Sequence, residues 1–378
     1  MTDARSQAAS GWLIDKRNDL LYMVGAVVVS YALIAAHILV GVSAIFLWWL
    51  WTLFMDGPHI FATLSRTYLD RQERAERGPL LWGSLAWFAL GPASIGASYL
   101  LDTNVPYLGF YGFFNVWAYW HVVRQHFGFM NLYKRKNDDG APVDNRLDPA
   151  VLYVGLLAPF ASYVLTNPMA RKILGLTEVE RPWESWAVTA AWSAVGAVAL
   201  AAALRQLQRA LRGERLNRGK LLFWAAALPL SWVTFSPWMA RHADFQLFTV
   251  AVTSFHNIQY NALVWHYQKR RYHSGGTRGR AFGLAYSVSR RFWPYAALAV
   301  AFSAVYRGVQ CGFGAIPGCS MNFSGSPLWP GGLTQGDLAV AFFLGIPMHH
   351  YYLDQKIWRL RKDPALNRDL GLVRPASA

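Results

Sequence analysis

Apolar runs of about twenty residues recur along the chain, separated by short polar and basic stretches. Ten such runs fall at roughly 21–42, 44–65, 80–101, 107–132, 149–166, 185–204, 220–239, 245–267, 292–308 and 336–357. About 20 apolar residues suffice for a helix to cross a bilayer. The pattern therefore predicts an all-α, polytopic membrane bundle of about ten transmembrane helices. No repeat of fixed period and no low-complexity tract divides it, so one membrane domain, 1–378, accounts for the chain. Its tails are 1–20 and 359–378.

Composition supports this. The sequence is 54% hydrophobic and 15% charged, with 18 Trp and a mean hydropathy of +0.18, against about 25% charged in soluble domains. The length alone would allow two soluble domains, but the apolar runs are too many and too long for that.

The formal net charge is +15, and its distribution gives the orientation. Thirty of the 36 Lys and Arg lie in the N-terminal tail, in alternate connections such as "RTYLDRQERAER" and "KRRYHSGGTRGRAFGLAYSVSRR", and in the C-terminal region. The opposite side carries Arg171, Lys172, Arg181, Arg241 and Arg307, and Arg124 falls inside an apolar run. This asymmetry follows the positive-inside rule with both termini cytoplasmic. It makes anionic lipid the expected partner and removes any need to invoke nucleic acid. No cleavable signal peptide is evident, so the first run is expected to act as an uncleaved signal-anchor in a bacterial inner membrane. The two cysteines, in "QCGFGAIPGCS", fall in an outward loop. Cys311 and Cys319 can bridge there if that face is oxidising. Two thiols alone do not fill a metal site.

The histidines carry the chemical signal. His37 and His242 lie toward the outer side and His273 in a cytoplasmic connection. The other seven fall in runs two, four, eight and ten, all crossing inward. His59 precedes Arg66 by seven residues and His126 precedes Lys134 by eight, with His121 five further in. His256 is thirteen before Lys269, and His266 lies almost at the boundary; His349 and His350 are seven and six before Lys356. At 1.5 Å per residue most of these sit about 9 to 20 Å from the basic boundary. Ionisable groups inside a membrane are costly and mark functional sites. A single one could be a structural hydrogen bond between helices. Six at overlapping depth, His59, His121, His126, His256, His349 and His350, point to a shared metal site.

Local spacing adds candidates. Asp56 and His59 are three apart, Gln125 is four from His121, and Asp354 is four from His350, so each pair shares a helix face. His256, Gln259 and Tyr260 share another. On a regular helix His121 and His126 diverge by about 140°, and His349 and His350 by about 100°. They would flank two ions, or reach one if a π-bulge intervenes. Pro58 and Pro347 are expected to kink the helices just before His59 and His349. Imidazoles with carboxylates suit Fe, Zn, Cu or Ni better than Mg or Ca. Asp56, Asp354, Gln125 and Gln259 either ligate or orient the imidazoles. Tyr260 joins them as a candidate catalytic group.

The pattern resembles the integral-membrane histidine-box oxygenases, the fatty-acid desaturase and alkane hydroxylase class. "HVVRQH" has the H-x4-H spacing of those boxes and "HH" at 349–350 is similar to the end of a later one. "HNIQY" has Gln259 and Tyr260 where two histidines would stand, so the full ligand set does not carry over. "GPH" at 57–59 and "HFG" at 126–128 are similar to motifs of the Brp/Blh carotene-cleaving dioxygenases, in which single histidines from separate helices bind one iron. Both resemblances imply one or two Fe ions, dioxygen and a lipid-soluble substrate, with hydroxylation, desaturation or oxidative cleavage as the reaction. No G-x-G-x-x-G fingerprint is present, so a hydroxylase or desaturase would need a separate cytoplasmic electron donor and a dioxygenase would not. The alternatives are a b-type haem electron-transfer protein, a metal or proton transporter, and a purely structural membrane protein. Zn and Cu remain as other metals.

Overall fold

A computed structural model describes residues 11–176, 181–274, 276–313, 319 and 332–372. Arg5, Arg374 and most of the loop between the two cysteines lie outside the described residues.

In chain order the principal helices are α1 (Val27–Ile38), α2 (Ala44–Trp51), α3 (Gly57–Thr67), α4 (Arg71–Gly83), α5 (Trp87–Leu100), α6 (Val105–Lys136), α7 (Pro142–Thr166), α8 (Pro182–Leu211), α9 (Arg218–Thr234), α10 (Phe245–His273), α11 (Phe292–Gly312), α12 (Gln335–Phe343) and α13 (Gly345–Ile357). No strand occurs among the described residues. Two π-helical segments, Asp19–Val24 and Thr52–Asp56, precede α1 and α3.

Among the described residues, four helical stretches are long and apolar enough to cross a membrane: Lys16–Ile38, Arg71–Leu100, Pro142–Thr166 and Pro182–Leu211. The sequence pattern suggested about ten. The shortfall has a physical cause. Runs two and ten are each broken into shorter pieces, α2, a π segment and α3 in one case, α12 and α13 in the other. Helices α6 and α10 have 32 and 29 residues, about 48 and 44 Å of helix, but the His, Asn, Gln and Arg within them lower their apolarity. The seven histidines of runs two, four, eight and ten all lie on helices outside these four spans, but α9 and α11, which carry none, lie outside them too.

Pro58 and Pro347 stand in the first turns of α3 and α13. The backbone stays helical through Asp56 and Leu344, the residues that lead into these helices, so each proline follows a place where the regular α pattern has already changed. Between His121 and His126, α6 is regular α-helix, and no π-bulge brings the two imidazoles onto one face.

The chain divides into two compact units, each built from both halves of the sequence. The first comprises 1–44, 120–259 and 371–378; the second comprises 45–119 and 260–370. The divisions fall inside α2, α6 and α10 and after Leu370. In the first unit α7 packs against α8 and α9, and α9 against α1. Its core is held at one end by a buried ion network. Lys220 bonds Asp139 at 2.7 Å and Asp148 at 3.0 Å, and Lys134 also pairs with Asp148. Arg209 reaches Asp139 at 2.9 Å, and Arg205 clasps Asp144 through two nitrogens at 2.8 and 3.0 Å.

In the second unit α3 packs on α11, and α5 on α12 and α13. These contacts rely on glycine. A Cβ on Gly57 would stand 2.0 Å from Ser303 Oγ, and one on Gly91 would stand 2.0 Å from the Ala341 carbonyl oxygen. Only a residue without a side chain allows either approach. Ser303 in turn donates to the Thr52 carbonyl at 2.8 Å, which pins the π turn leading into α3. Cys311 and Cys319 form a disulfide with Cα atoms 5.2 Å apart, within the usual range.

Candidate metal centre

The second unit brings together His59 and Thr63 of α3, His350 and Asp354 of α13, and Tyr260 of α10. Helical spacing of four puts His59 with Thr63, and His350 with Asp354, on one face of each helix. Both faces are buried: His59 is 3% exposed, His350 1% and Asp354 7%. His59 Nε2 and His350 Nε2 lie 2.8 Å apart, and Asp354 Oδ2 is 3.8 Å from His350 Nε2. One ligand atom from each of the three residues falls within 4.8 Å of the others.

Hydrogen bonds tie these residues together. Thr63 Oγ1 donates to Asp354 Oδ1 at 2.9 Å, and the Tyr260 hydroxyl donates to the same oxygen at 2.7 Å. The two hydroxyls lie 2.6 Å from each other, and Thr63 Oγ1 is 2.9 Å from His350 Nδ1. Two ring nitrogens 2.8 Å apart, as those of His59 and His350 are, are joined by a proton or by a cation. The arrangement is that of a metal-ligating histidine whose second nitrogen is held by hydrogen bonding to a carboxylate-linked group.

The donor set fits a transition metal. Imidazoles with a carboxylate suit Fe, Zn, Cu or Ni better than Mg or Ca.

Other residues singled out in the sequence are placed differently. His349 turns to the opposite side of α13, where its Nε2 lies 2.9 Å from the Tyr68 hydroxyl. That hydroxyl donates to the Leu81 carbonyl at 2.7 Å, so it accepts from His349. Asp56, at the end of the π turn, is held by Arg307, which also bonds Gln310 at 2.6 Å.

In the first unit, His121 and His256 have ring centroids 5.1 Å apart, and His126 and His256 6.1 Å apart. His256 thus stands beside both imidazoles of α6, although these diverge on their own helix. His126 is flanked by Phe223 and Phe255, each at 5.5 Å. Gln259 donates to the Met23 carbonyl at 2.6 Å, in the π segment before α1. Gln125 is half-buried on α6, with no hydrogen-bond partner for its amide among the described residues. His266 is half-buried on α10.

Sequence reasoning missed Thr63, Arg66, Tyr68 and Trp358. Arg66 is fully buried. Its guanidinium lies between the rings of Trp358 and Tyr267, at 3.7 and 4.3 Å, and donates to the Ile357 carbonyl at 3.0 Å. Trp358 also donates to the Tyr260 hydroxyl at 3.3 Å. Thr63 and Arg66, four and seven residues after His59, continue its face, and that spacing was the available signal.

Comparison of the chain with known protein families, characterised proteins and solved structures finds no match.

Proposed function

We propose that the protein is an iron-dependent membrane oxygenase that acts on a lipid-soluble substrate. On this reading it crosses a bacterial inner membrane about ten times with both termini in the cytoplasm, and the His-rich site lies in the cytoplasmic leaflet. The observation that carries the proposal is the convergence of His59 Nε2, His350 Nε2 and the Asp354 carboxylate in a buried setting. Iron would supply the binding and reduction of dioxygen. The chain's part is to orient His350 through Thr63, to keep Asp354 oriented through Thr63 and Tyr260, and to exclude water with the aromatic wall of Tyr260 and Trp358. The resemblance to histidine-box and carotene-cleaving oxygenases points to the same chemistry class.

Electron accounting separates two versions. Hydroxylation of a C–H bond by O2 leaves one oxygen in the alcohol and one in water, and needs two electrons and two protons from a cytoplasmic donor. Cleavage of a C=C bond into two carbonyl groups consumes both oxygens and needs no donor. Haem is the poorer fit at His59 and His350, because axial nitrogens on either side of one iron stand about 4 Å apart.

The test is metal analysis of detergent-purified protein grown with iron and handled without chelators, with an optical spectrum beside it. One or two irons per chain without a Soret band is the expected result. Stoichiometric haem would move the protein to electron transfer. A chain that binds no metal under these conditions overturns the proposal.

A further inference from the structure

Arg124 is unused by the metal site. It is the one Lys or Arg inside an apolar run and away from its boundary, ten residues before Lys134. It lies in the first unit on the outer side of α6, exposed, while His121, Val122, Val123 and His126 around it are buried. Its Nη1 donates to the hydroxyl of Tyr153. Tyr153 is eleven residues into α7, itself a candidate membrane span. The guanidinium is therefore level with the apolar part of that span.

Its surroundings hold it in place without neutralising it. The Phe127 and Trp120 rings lie 5.0 and 5.8 Å from the guanidinium carbon, and both rings stack on Tyr153. No carboxylate among the described residues pairs with Arg124. An exposed charge at this depth is costly unless it meets an opposite charge. The same stripe of α6 continues through Gly128, Asn131 and Arg135 at helical spacing. At Gly128 a side chain would meet nothing within 4 Å, so the surface is open there. Arg135 is exposed at the end of the stripe, and Arg146, two turns before Tyr153 on α7, is exposed as well.

We infer that this face of α6 and α7 binds the phosphate of an anionic phospholipid, with Arg124 as the deep contact and Arg135 and Arg146 at the rim. The planar guanidinium fork matches phosphate oxygens, and basic pockets between membrane helices on the cytoplasmic side take such headgroups. Inorganic phosphate offers the same oxygens but has no acyl chains to lie along the apolar faces of α6 and α7. The inference rests on the membrane reading and is independent of metal and reaction.

The test uses the full chain in mild detergent, titrated with phosphatidylglycerol, phosphatidylcholine or inorganic phosphate and read by native mass spectrometry. Wild-type protein should retain one phosphatidylglycerol in preference to phosphatidylcholine, and R124Q should weaken that retention by about tenfold or more. A double R135Q/R146Q variant should weaken it by a smaller factor, and it serves in place of R124Q if that variant does not fold. Equal retention of both lipids by wild-type protein, undiminished phosphatidylglycerol binding by the variants, or binding of phosphate alone would each overturn the inference. Carbonate washing of membranes separates the two readings. A chain released by carbonate overturns the membrane placement and this site together. A chain that stays in the membrane but shows no lipid preference overturns this site alone.

Discussion

Each unit buries a group of polar side chains, and the two groups are balanced differently. In the first, Asp139, Asp144 and Asp148 face Lys134, Arg205, Arg209 and Lys220, and charge meets charge within the protein. In the second, Asp354 is met by two hydroxyls and the two imidazole nitrogens face each other at 2.8 Å. A buried carboxylate surrounded by protein cations is complete, and its cost of desolvation is met by its neighbours. A carboxylate that accepts from two hydroxyls beside two converging nitrogens offers ligands that a metal ion could take. The first group holds helix ends together.

The comparison is broken most directly at His350. H350A should lose the bound metal to below about a tenth of the wild-type content, while the thermal midpoint in detergent changes little in metal-free protein. An unchanged metal content in H350A would remove the second unit's group as the centre. In the ion network the effect should be the reverse. D148A leaves Lys134 and Lys220 without a shared anion and should cost about 3–5 kcal/mol, seen as a lower thermal midpoint, with metal per folded chain unchanged.

Thr63 gives a finer test. T63A removes the hydroxyl beside His350 Nδ1 and should weaken metal affinity about 10- to 100-fold, whereas T63S, which keeps the hydroxyl, should restore most of it. Equal affinities for T63A and T63S would show that Thr63 only packs.

The smallest expected effect concerns acid. Burial opposes ionisation of Asp139, but Lys220, Asn217 and Arg209 outweigh it and hold its carboxyl below the ordinary 3.8. The folded state therefore binds this proton less readily than the unfolded chain. The stabilisation is complete above the ordinary value and is lost as pH falls through the folded one. The thermal midpoint of wild-type protein should decline below about pH 4, and D139N should flatten that decline. An identical acid profile in D139N would show that Asp139 contributes none of it.

Several residues of the candidate centre were legible because helical periodicity is local. His350 and Asp354 share a face by a spacing of four, and the structure keeps them together. His349 and His350 differ by one residue, so a rotation of about 100° sends one to Tyr68 and the other to His59. The sequence shows the divergence but not which side faces the site. Asp56 illustrates the limit: its spacing from His59 gives no sign that Arg307 on α11 holds its carboxylate.

The sequence by itself determined the all-helical character of the chain, the clustering of histidines within apolar runs and the confinement of most basic residues to alternate connections. These follow from composition and from the 3.6-residue period, which act within one segment. Only the tertiary structure decided that Thr63 and Tyr260 orient Asp354, that His256 stands beside both histidines of α6, and that Arg124 meets Tyr153. Those pairings join residues far apart in sequence, and they depend on how close two helices come and how each is turned about its axis. Gly57 and Gly91 set the approach of particular pairs, and no periodicity within a single helix records which neighbour they admit.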